Sequence, residues 1–210
     1  MRVIAGKYRS RRLKSLKGMA LRPTSDRLRE TLFNILGDRV AGSRFIDLFA
    51  GTGAVGIEAL SRGANEAIFV ERHAPAAALI RKNLESLEVR RGARVLSTDA
   101  LHGLELLEKE LGHGPRLSTI AFLDPPYANT QDYDRVLSFF GFALLLDNRS
   151  LVIAEHRKNF DLSETTGNLQ RVRILTQGDA CLSFYRMVRP AVKDPPTAQQ
   201  TPRPARSSIL

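Results

Sequence analysis

The feature that most constrains the fold is a regular alternation, from residue 44 onward, between apolar strand-like runs and helix-like stretches. Five runs are predicted strands, at 45–49, 67–71, 93–97, 119–123 and 151–155. Helix-like spacing lies between them, near 54–62, 74–87, 101–111 and 131–140. Two later runs, 172–175 and 180–188, flank a turn and predict a terminal antiparallel hairpin. We therefore expect a Rossmann-like α/β fold with helices on both faces of a mostly parallel seven-stranded sheet.

The 210 residues are enough for one domain with short additions at its ends. We predict a basic N-terminal extension of short strands plus a helix at 1–40, the α/β domain at 41–189 and a disordered tail at 190–210. The tail holds five of the ten prolines and almost no large apolar residues. In the extension, RPTSDRLRETLFNILG predicts a helix that is capped by Ser25 or Asp26 and ends at Gly37.

Positive charge is concentrated at the N-terminus. The net charge is +10, and residues 1–30 carry ten Lys and Arg against two acidic residues, a local excess of +8. Such a cluster can neutralise phosphates and release their counterions, which favours a nucleic-acid partner over a basic arm that only aids solubility. The candidate RNA contacts are Arg2, Lys7, Arg9, Arg11, Arg12, Arg22 and Arg27.

The composition argues against a membrane-spanning segment, an internal disulfide and a metal site. The longest apolar stretch, 139–146, is far shorter than the roughly 20 residues that span a bilayer, and Met1-Arg2-Val3 opens no signal peptide. One cysteine, Cys181, cannot form an internal disulfide, and the four histidines show no metal-ligand spacing with it. We therefore expect a soluble, cytoplasmic protein without a metal site. We also expect a monomer, although composition does not bear on the oligomeric state.

A glycine-rich loop follows the first predicted strand and leads into a helix. In DLFAGTGAVGIEAL, Gly51, Gly53 and Gly56 satisfy the GxGxxG pattern, which alone would suggest NAD. Asp47 lies four residues before Gly51, where its charge would oppose a pyrophosphate but suit an ammonium group. Glu71, at the end of the second predicted strand, could bind ribose hydroxyls, which either cofactor would require.

Asp99 extends this row of acids to the third strand. It lies in Ser97-Thr98-Asp99-Ala100, where its side chain could accept a hydrogen bond from an adenine amino group, with Ala100 beside it. S-adenosylmethionine carries an ammonium, a sulfonium and no phosphate, so acids at three successive strand ends favour it over NAD. Each acid also has a structural alternative as a helix cap or a surface ion pair.

The segment IAFLDPPYAN ends the fourth predicted strand. The apolar run before Asp124 is typical of a buried strand, and Pro125-Pro126 ends it because proline has no N–H to give the sheet. Asp124 is thereby left at a strand end, where α/β sheets keep their binding sites. The alternative is a simple strand-ending turn with Tyr127 packed on the core.

Four segments together resemble one known family. RVIAGKYRSRRL, LRPTSDRLRETLFNIL, DLFAGTG and LDPPY are similar to the RsmD-type ribosomal RNA methyltransferases, over residues 1–188. The resemblance implies a class I methyltransferase fold and methyl transfer from S-adenosylmethionine to the exocyclic N2 of a guanine, of the guanine-966 type, in 16S ribosomal RNA. It also implies 16S ribosomal RNA as the partner, which we expect within a small ribosomal subunit or an assembly intermediate; whether the substrate is naked RNA or an assembled particle stays open.

The resemblance further implies roles for Asp124, Pro125, Pro126 and Tyr127. A guanine amine is a poor nucleophile because its lone pair is delocalised, and holding nitrogen, methyl carbon and sulfur in line could contribute roughly 7 to 11 kcal/mol. Asp124 would accept one N–H and the Pro125 carbonyl the other, and the two prolines would stiffen the loop. Tyr127 would stack on a base that has left its helix. Whether Asp124 or water takes the proton stays open.

Rival functions stay open at this point. A DNA adenine-N6 methyltransferase would use DPPY equally well but would need a target-recognition region larger than the arm and the tail. An RNA-binding assembly factor could keep the fold without turnover, and an NAD-dependent oxidoreductase comes last. Elsewhere, Cys181 is expected to be buried rather than nucleophilic, Glu155-His156 to be a surface pair and Asn83 to be an exposed helical residue.

Overall fold

The computed structural model describes residues 1–15, 24–111, 117–126 and 129–188, so Arg22, Tyr127 and the predicted tail lie outside it. The helices are α1 Asp26–Leu36, α2 Ala54–Ser61, α3 Ala74–Ser86, α4 Ala100–Leu111 and α5 Gln131–Phe142. The strands are β1 Arg44–Leu48, β2 Glu66–Val70, β3 Ala93–Leu96, β4 Thr119–Leu123, β5 Leu151–Arg157, β6 Thr165–Thr166, β7 Leu169–Gln177 and β8 Ala180–Met187. The predicted alternation is confirmed. No helix in the described ranges is long and apolar enough to cross a membrane.

All eight strands form one sheet in the order β3-β2-β1-β4-β5-β8-β7-β6. Strands β1 to β5 are parallel, and β6 to β8 add antiparallel pairs, as the terminal hairpin predicts. The sheet has one strand more than the seven predicted, because Thr165–Thr166 forms an edge strand too short to leave a pattern in the sequence. β1 and β4 are neighbours, with Asp47 opposite Phe122, and the strand order reverses between them. Sheets of this class bind ligands at such a switch point.

Apolar residues alternate along the strands and build one core on each face of the sheet. On one face residues such as Phe45 pack with α1, α2 and α3, and on the other residues such as Ile46 pack with α4 and α5. The predicted cap of α1 is confirmed, since the Ser25 side chain accepts a hydrogen bond from Leu28 N at 3.1 Å. The two cores hold the carboxyl ends of β1 to β4 in fixed positions.

The N-terminal arm, residues 1–15, doubles back on itself and packs on the domain. Val3 N donates to Arg11 O at 3.0 Å, and Val3 and Leu13 are buried in the same core as α1 and β1. At Gly6 a Cβ would collide with the Ser61 carbonyl oxygen, so a larger residue would force the arm away from α2. The arm and the α/β domain therefore share one core.

Three polar residues expected at the surface are buried. Glu155 and His156 lie inside β5 and are 5% and 1% exposed, because β8 pairs with β5 and Thr24 covers the Glu155 carboxylate. Asn83 on α3 is 0% exposed because the N-terminal arm covers it. The surface interpretation of these three residues is therefore wrong. Cys181 is buried, as expected.

Candidate active site

A cavity of about 630 Å³ lies at the carboxyl ends of the parallel strands, within the size range of small-molecule sites. Its lining brings together predicted cofactor residues from the ends of β1, β2 and β3 with predicted catalytic residues that follow β4. These residues are Asp47, Gly51, Glu71, Asp99, Ala100, Asp124, Pro125 and Pro126. Gly53 is not among the lining residues, and Tyr127 lies outside the described ranges.

The glycine loop between β1 and α2 is held by the Glu71 carboxylate. Glu71 Oε2 accepts a hydrogen bond from Gly51 N at 2.8 Å, and Oε1 accepts one from His73 N at 2.8 Å. Gly51 has φ +53°, a left-handed conformation that favours glycine, and Phe49 is strained at φ +59°, as residues at binding sites often are. Gly53 is the N-cap of α2 and shapes the turn rather than the cavity wall. Glu71 therefore fixes the loop, and its ribose contact stays a prediction.

Asp47 is a deeply buried acid at the base of the cavity. It is 2% exposed and accepts a hydrogen bond from Gly56 N at 2.8 Å. Burial raises the pKa of Asp47 to about 8; the Gly56 N–H opposes this shift and the Glu71 charge adds to it. At neutral pH the Asp47 carboxyl is therefore mostly protonated, and a cation placed beside it would favour the carboxylate.

Asp99 caps α4 and lines the cavity at the same time. It is exposed, and its Oδ1 accepts a hydrogen bond from His102 N at 3.0 Å. Ala100, the first residue of α4, lines the cavity next to it. The structural alternative of a helix cap is thus realised, but a carboxylate can accept further hydrogen bonds. The contact between Asp99 and adenine stays a prediction.

The Asp-Pro-Pro loop forms the wall of the cavity beyond β4. Asp124 is the first residue after β4, as predicted. Pro125 is buried, Pro126 is exposed, and the Pro126 carbonyl accepts a hydrogen bond from Asn129 N at 2.8 Å. The two prolines restrict the backbone on which Asp124 is presented.

Thr24 and α5 contribute lining residues that the sequence analysis missed. Thr24 Oγ1 donates a hydrogen bond to Glu155 Oε2 at 2.8 Å, which ties the segment before α1 to β5. Asp132 and Arg135 line the cavity from the start of α5. Two features of the sequence could have pointed to these residues: Thr24 lies within RPTSD, and α5 directly follows DPPY. Neither feature identifies a residue that lines the cavity.

The cavity is acidic, which fits a cationic cofactor without phosphate. Its charged and titratable lining residues are five carboxyl groups, two arginines and one histidine: Asp47, Glu71, Asp99, Asp124, Asp132, Arg72, Arg135 and His73. The Gly51 N–H, which a pyrophosphate could otherwise use, is bound to Glu71. An ammonium and a sulfonium would be stabilised by this lining. Among the described residues no group of three or more His, Cys, Asp and Glu is placed to hold a metal ion.

The predicted RNA contacts on the arm and on α1 lie at the surface. Arg2, Lys7, Arg9, Arg11, Arg12 and Arg27 are exposed. Arg29 differs, because it is fully buried, donates to Arg2 O at 2.6 Å and lies 3.8 Å from Glu58. Arg29 therefore helps to pack the arm, whereas the exposed cations remain at the surface.

The match to known proteins spans both the arm and the cavity. Residues 1–186 match the family model described as Conserved hypothetical protein 95. A Bacillus subtilis (strain 168) protein titled "Putative rRNA methyltransferase YlbH" is 38% identical over 187 residues, covering 89% of this chain and 98% of that protein. Ribosomal RNA small subunit methyltransferase D of Haemophilus influenzae is 40% identical over 128 residues, covering 60% of this chain and 64% of that protein. The solved structure of a hypothetical protein from Thermus thermophilus is 30% identical with a TM-score of 0.72, covering 88% of this chain and 98% of that one. The chain belongs to the RsmD-type family of ribosomal RNA methyltransferases.

Proposed function

We propose that the protein transfers the methyl group of S-adenosylmethionine to the exocyclic N2 of a guanine, of the guanine-966 type, in 16S ribosomal RNA. The observation that carries this proposal is the shared cavity, in which acids from three strand ends meet the Asp-Pro-Pro loop after β4. The acids can stabilise the positive charges of the cofactor, and the loop can accept hydrogen bonds from an amine. The name of the Haemophilus influenzae relative supports ribosomal RNA as the substrate class.

The acids at the three strand ends hold the cofactor. Asp47 accepts hydrogen bonds from its ammonium group, Glu71 from the ribose hydroxyls and Asp99 from the adenine amino group. Gly51 and Ala100 bring the backbone of the glycine loop and of α4 against it. When bound, S-adenosylmethionine supplies an electrophilic methyl group. Backbone N–H groups already fix all three acids, so the site needs little rearrangement on binding.

Asp124 and Pro125 prepare the amine for attack. Asp124 accepts one N–H of the guanine amine and the Pro125 carbonyl accepts the other, which directs the nitrogen lone pair toward the methyl carbon. Both acceptors stabilise the positive charge that develops on nitrogen as its bond to carbon forms and the bond between that carbon and sulfur breaks, which leaves S-adenosylhomocysteine. The proton then leaves to Asp124 or to water. Pro126 stiffens the loop, and Tyr127 supplies the aromatic face for a base turned out of its helix.

The arm binds the RNA backbone. Its exposed cations neutralise phosphates and release counterions, while buried contacts keep the arm fixed on the domain. The protein acts as a cytoplasmic monomer on a small ribosomal subunit or an assembly intermediate, where 16S ribosomal RNA is found.

The test is transfer of labelled methyl groups to small ribosomal subunits lacking the modification, to protein-free 16S ribosomal RNA and to duplex DNA. Digestion to nucleosides identifies the product, and we expect N2-methylguanosine from ribosomal RNA. Methylated adenine from DNA would overturn the proposed acceptor and leave the cofactor in place. Cofactor binding without transfer to any of the three substrates would favour a non-catalytic assembly factor.

A further inference from the structure

Asn83 is a buried amide that touches two functional regions. It lies on α3, is 0% exposed, and is far in sequence from both of its partners. Its Oδ1 accepts a hydrogen bond from Lys14 N at 2.8 Å. Its Nδ2 donates to Lys14 O at 3.2 Å and to Thr52 O at 3.1 Å. Both donors of the amide and its acceptor are therefore used.

The two partners of Asn83 belong to different ligand surfaces. Lys14 follows the arginine pair Arg11-Arg12 in the arm, whose exposed cations are the proposed RNA contacts. Thr52 lies in the glycine loop and lines the cavity. A second contact joins the same two regions, since Thr52 Oγ1 lies 3.7 Å from the Met1 sulfur.

Several other anchors of the arm contact α2 instead of the loop. Glu58 accepts hydrogen bonds from Ile4 N and Ala5 N at 2.7 and 3.0 Å, and Ser61 Oγ accepts one from Tyr8 N at 2.9 Å. Those contacts can hold the arm without affecting the backbone of Thr52. Asn83 is different because one amide group binds the arm backbone and the loop backbone together, so displacement of either segment leaves a buried polar group unpaired.

We propose that Asn83 is a positioning residue through which the backbone of the arm at Lys14 supports the glycine loop, so that docking of the arm sets the affinity for the cofactor. The inference rests on the proposed function, in which the glycine loop holds S-adenosylmethionine. It assigns the arm a second role that is independent of its charges. An alteration confined to the arm backbone, distant from the chemistry, should then weaken cofactor binding.

The test compares Asn83→Ala with a matched pair in the arm, Lys14→Pro and Lys14→Ala. Proline removes the backbone N–H that donates a hydrogen bond to Asn83 Oδ1, whereas alanine keeps this N–H and removes only the charge of the side chain. Calorimetric titration of the full-length protein with S-adenosylhomocysteine measures the affinity without any RNA. We expect roughly tenfold weaker binding in Asn83→Ala and Lys14→Pro and no change in Lys14→Ala. The Lys14 pair keeps the test valid if Asn83→Ala loses stability, because it leaves the buried amide in place.

A double-variant cycle and the kinetic constants separate positioning from general damage. The double variant of Asn83→Ala and Lys14→Pro should bind S-adenosylhomocysteine no more weakly than Asn83→Ala alone, because both substitutions break the same contact between Lys14 and Asn83. The KM for S-adenosylmethionine should rise by the same factor while kcat stays within about twofold of the unaltered protein. Additive losses, or equal affinities in Lys14→Pro and Lys14→Ala, would overturn the inference. Because the titration needs no RNA substrate, it decides this point even if the proposed methyl acceptor is wrong.

Discussion

The N-terminal arm and the cavity differ in which of their groups face inward. In the arm, backbone N–H groups point into the domain, as Ile4 N and Ala5 N do toward Glu58, and the cations stay outside. In the cavity the acids point inward and backbone N–H groups hold them, as Gly51 N and Gly56 N do. The proposed function thus assigns a polyanion and a small cation to separate surfaces of one small domain.

Two buried acids, Glu58 and Asp47, differ in the partners that surround them. Glu58 is surrounded by partners, since it accepts from the arm and pairs with Arg62 at 2.8 Å, and it serves as an anchor. Asp47 is just as deeply buried, but no Lys or Arg of the described ranges pairs with it, and its pKa is raised to about 8. A buried acid that lacks a cation next to a cavity is suited to receive one from a ligand. Whether a buried acid has a cationic partner therefore indicates whether it anchors the fold or is suited to bind a ligand.

Asp124→Ala should lose more activity than any other variant. The substitution removes the proposed acceptor for the amine, so kcat should fall by about 10³-fold or more while the Kd for S-adenosylmethionine stays within about twofold. Single-turnover methyl transfer and calorimetric titration measure these two quantities. Asp132→Ala is the matched control, because Asp132 lines the same cavity from α5, and it should lose less than about tenfold. Equal losses of turnover and cofactor binding in Asp124→Ala would count against its catalytic role.

The next effect concerns the attachment of the arm. Glu58→Ala leaves Arg29 buried without that carboxylate, and Arg29 Nε and Nη1 already lack hydrogen-bond partners among the described residues. We expect the free energy of unfolding to fall by about 3 to 5 kcal/mol, measured by urea denaturation. Glu110→Ala is the control, since its ion pair with Arg94 at 2.8 Å is exposed and should contribute less than about 1 kcal/mol. Similar losses in the two variants would show that Glu58 does not anchor the arm.

A smaller effect is the pH dependence of cofactor binding through Asp47. Its pKa of about 8 in the free protein keeps the carboxyl mostly protonated at pH 7, so binding an ammonium there should release a proton. The contribution of Asp47 to cofactor affinity should rise by at most about tenfold per pH unit. The rise should end near pH 8, where the amino group of the cofactor also loses its proton. Titrations in buffers of different ionisation enthalpy measure the proton release.

Asp47→Asn provides the control for that pH dependence. The variant cannot ionise, so proton release should disappear. Because the folded pKa of Asp47 is raised, its contribution to stability is present below the unfolded pKa, near 4, and is lost as pH rises through about 8. The asparagine variant should lose this slope in the free energy of unfolding. Equal proton release in both proteins would place the ammonium elsewhere.

The sequence predicted most of the sheet and the rim of the cavity, because those features are local. β4 was predicted with its observed ends, 119–123, since an apolar run meets two prolines there. Asp47, Glu71, Asp99 and Asp124 were found because the carboxyl ends of parallel strands meet at one edge of a sheet. Strand period and strand ends together therefore identified residues that line one cavity, without any knowledge of tertiary contacts.

The residues that were missed depend on contacts between distant segments. Asn83 resembles any polar residue of an exposed helix until the arm, 69 residues away in sequence, folds over it. Glu155 and Thr24 are 131 residues apart, so neither carries a local sign of burial. Asp132 and Arg135 line the cavity only because α5 packs beside the Asp-Pro-Pro loop. The pattern within a helix or strand does not specify which other segment will cover it.

Steady-state kinetics of a charge variant of the arm test most directly whether RNA and cofactor are bound by separate surfaces. Lys7, Arg9 and Arg12 are exposed, and replacing all three with alanine leaves the backbone anchors of the arm in place. We predict that KM for the RNA substrate rises by about tenfold or more, that the salt dependence of RNA binding falls by about two to three units of slope, and that KM for S-adenosylmethionine is unchanged. Arg186→Ala, an exposed arginine on β8, is the control and should alter none of these values. An unchanged KM for RNA in the triple variant, or an equal rise in both KM values, would contradict the account.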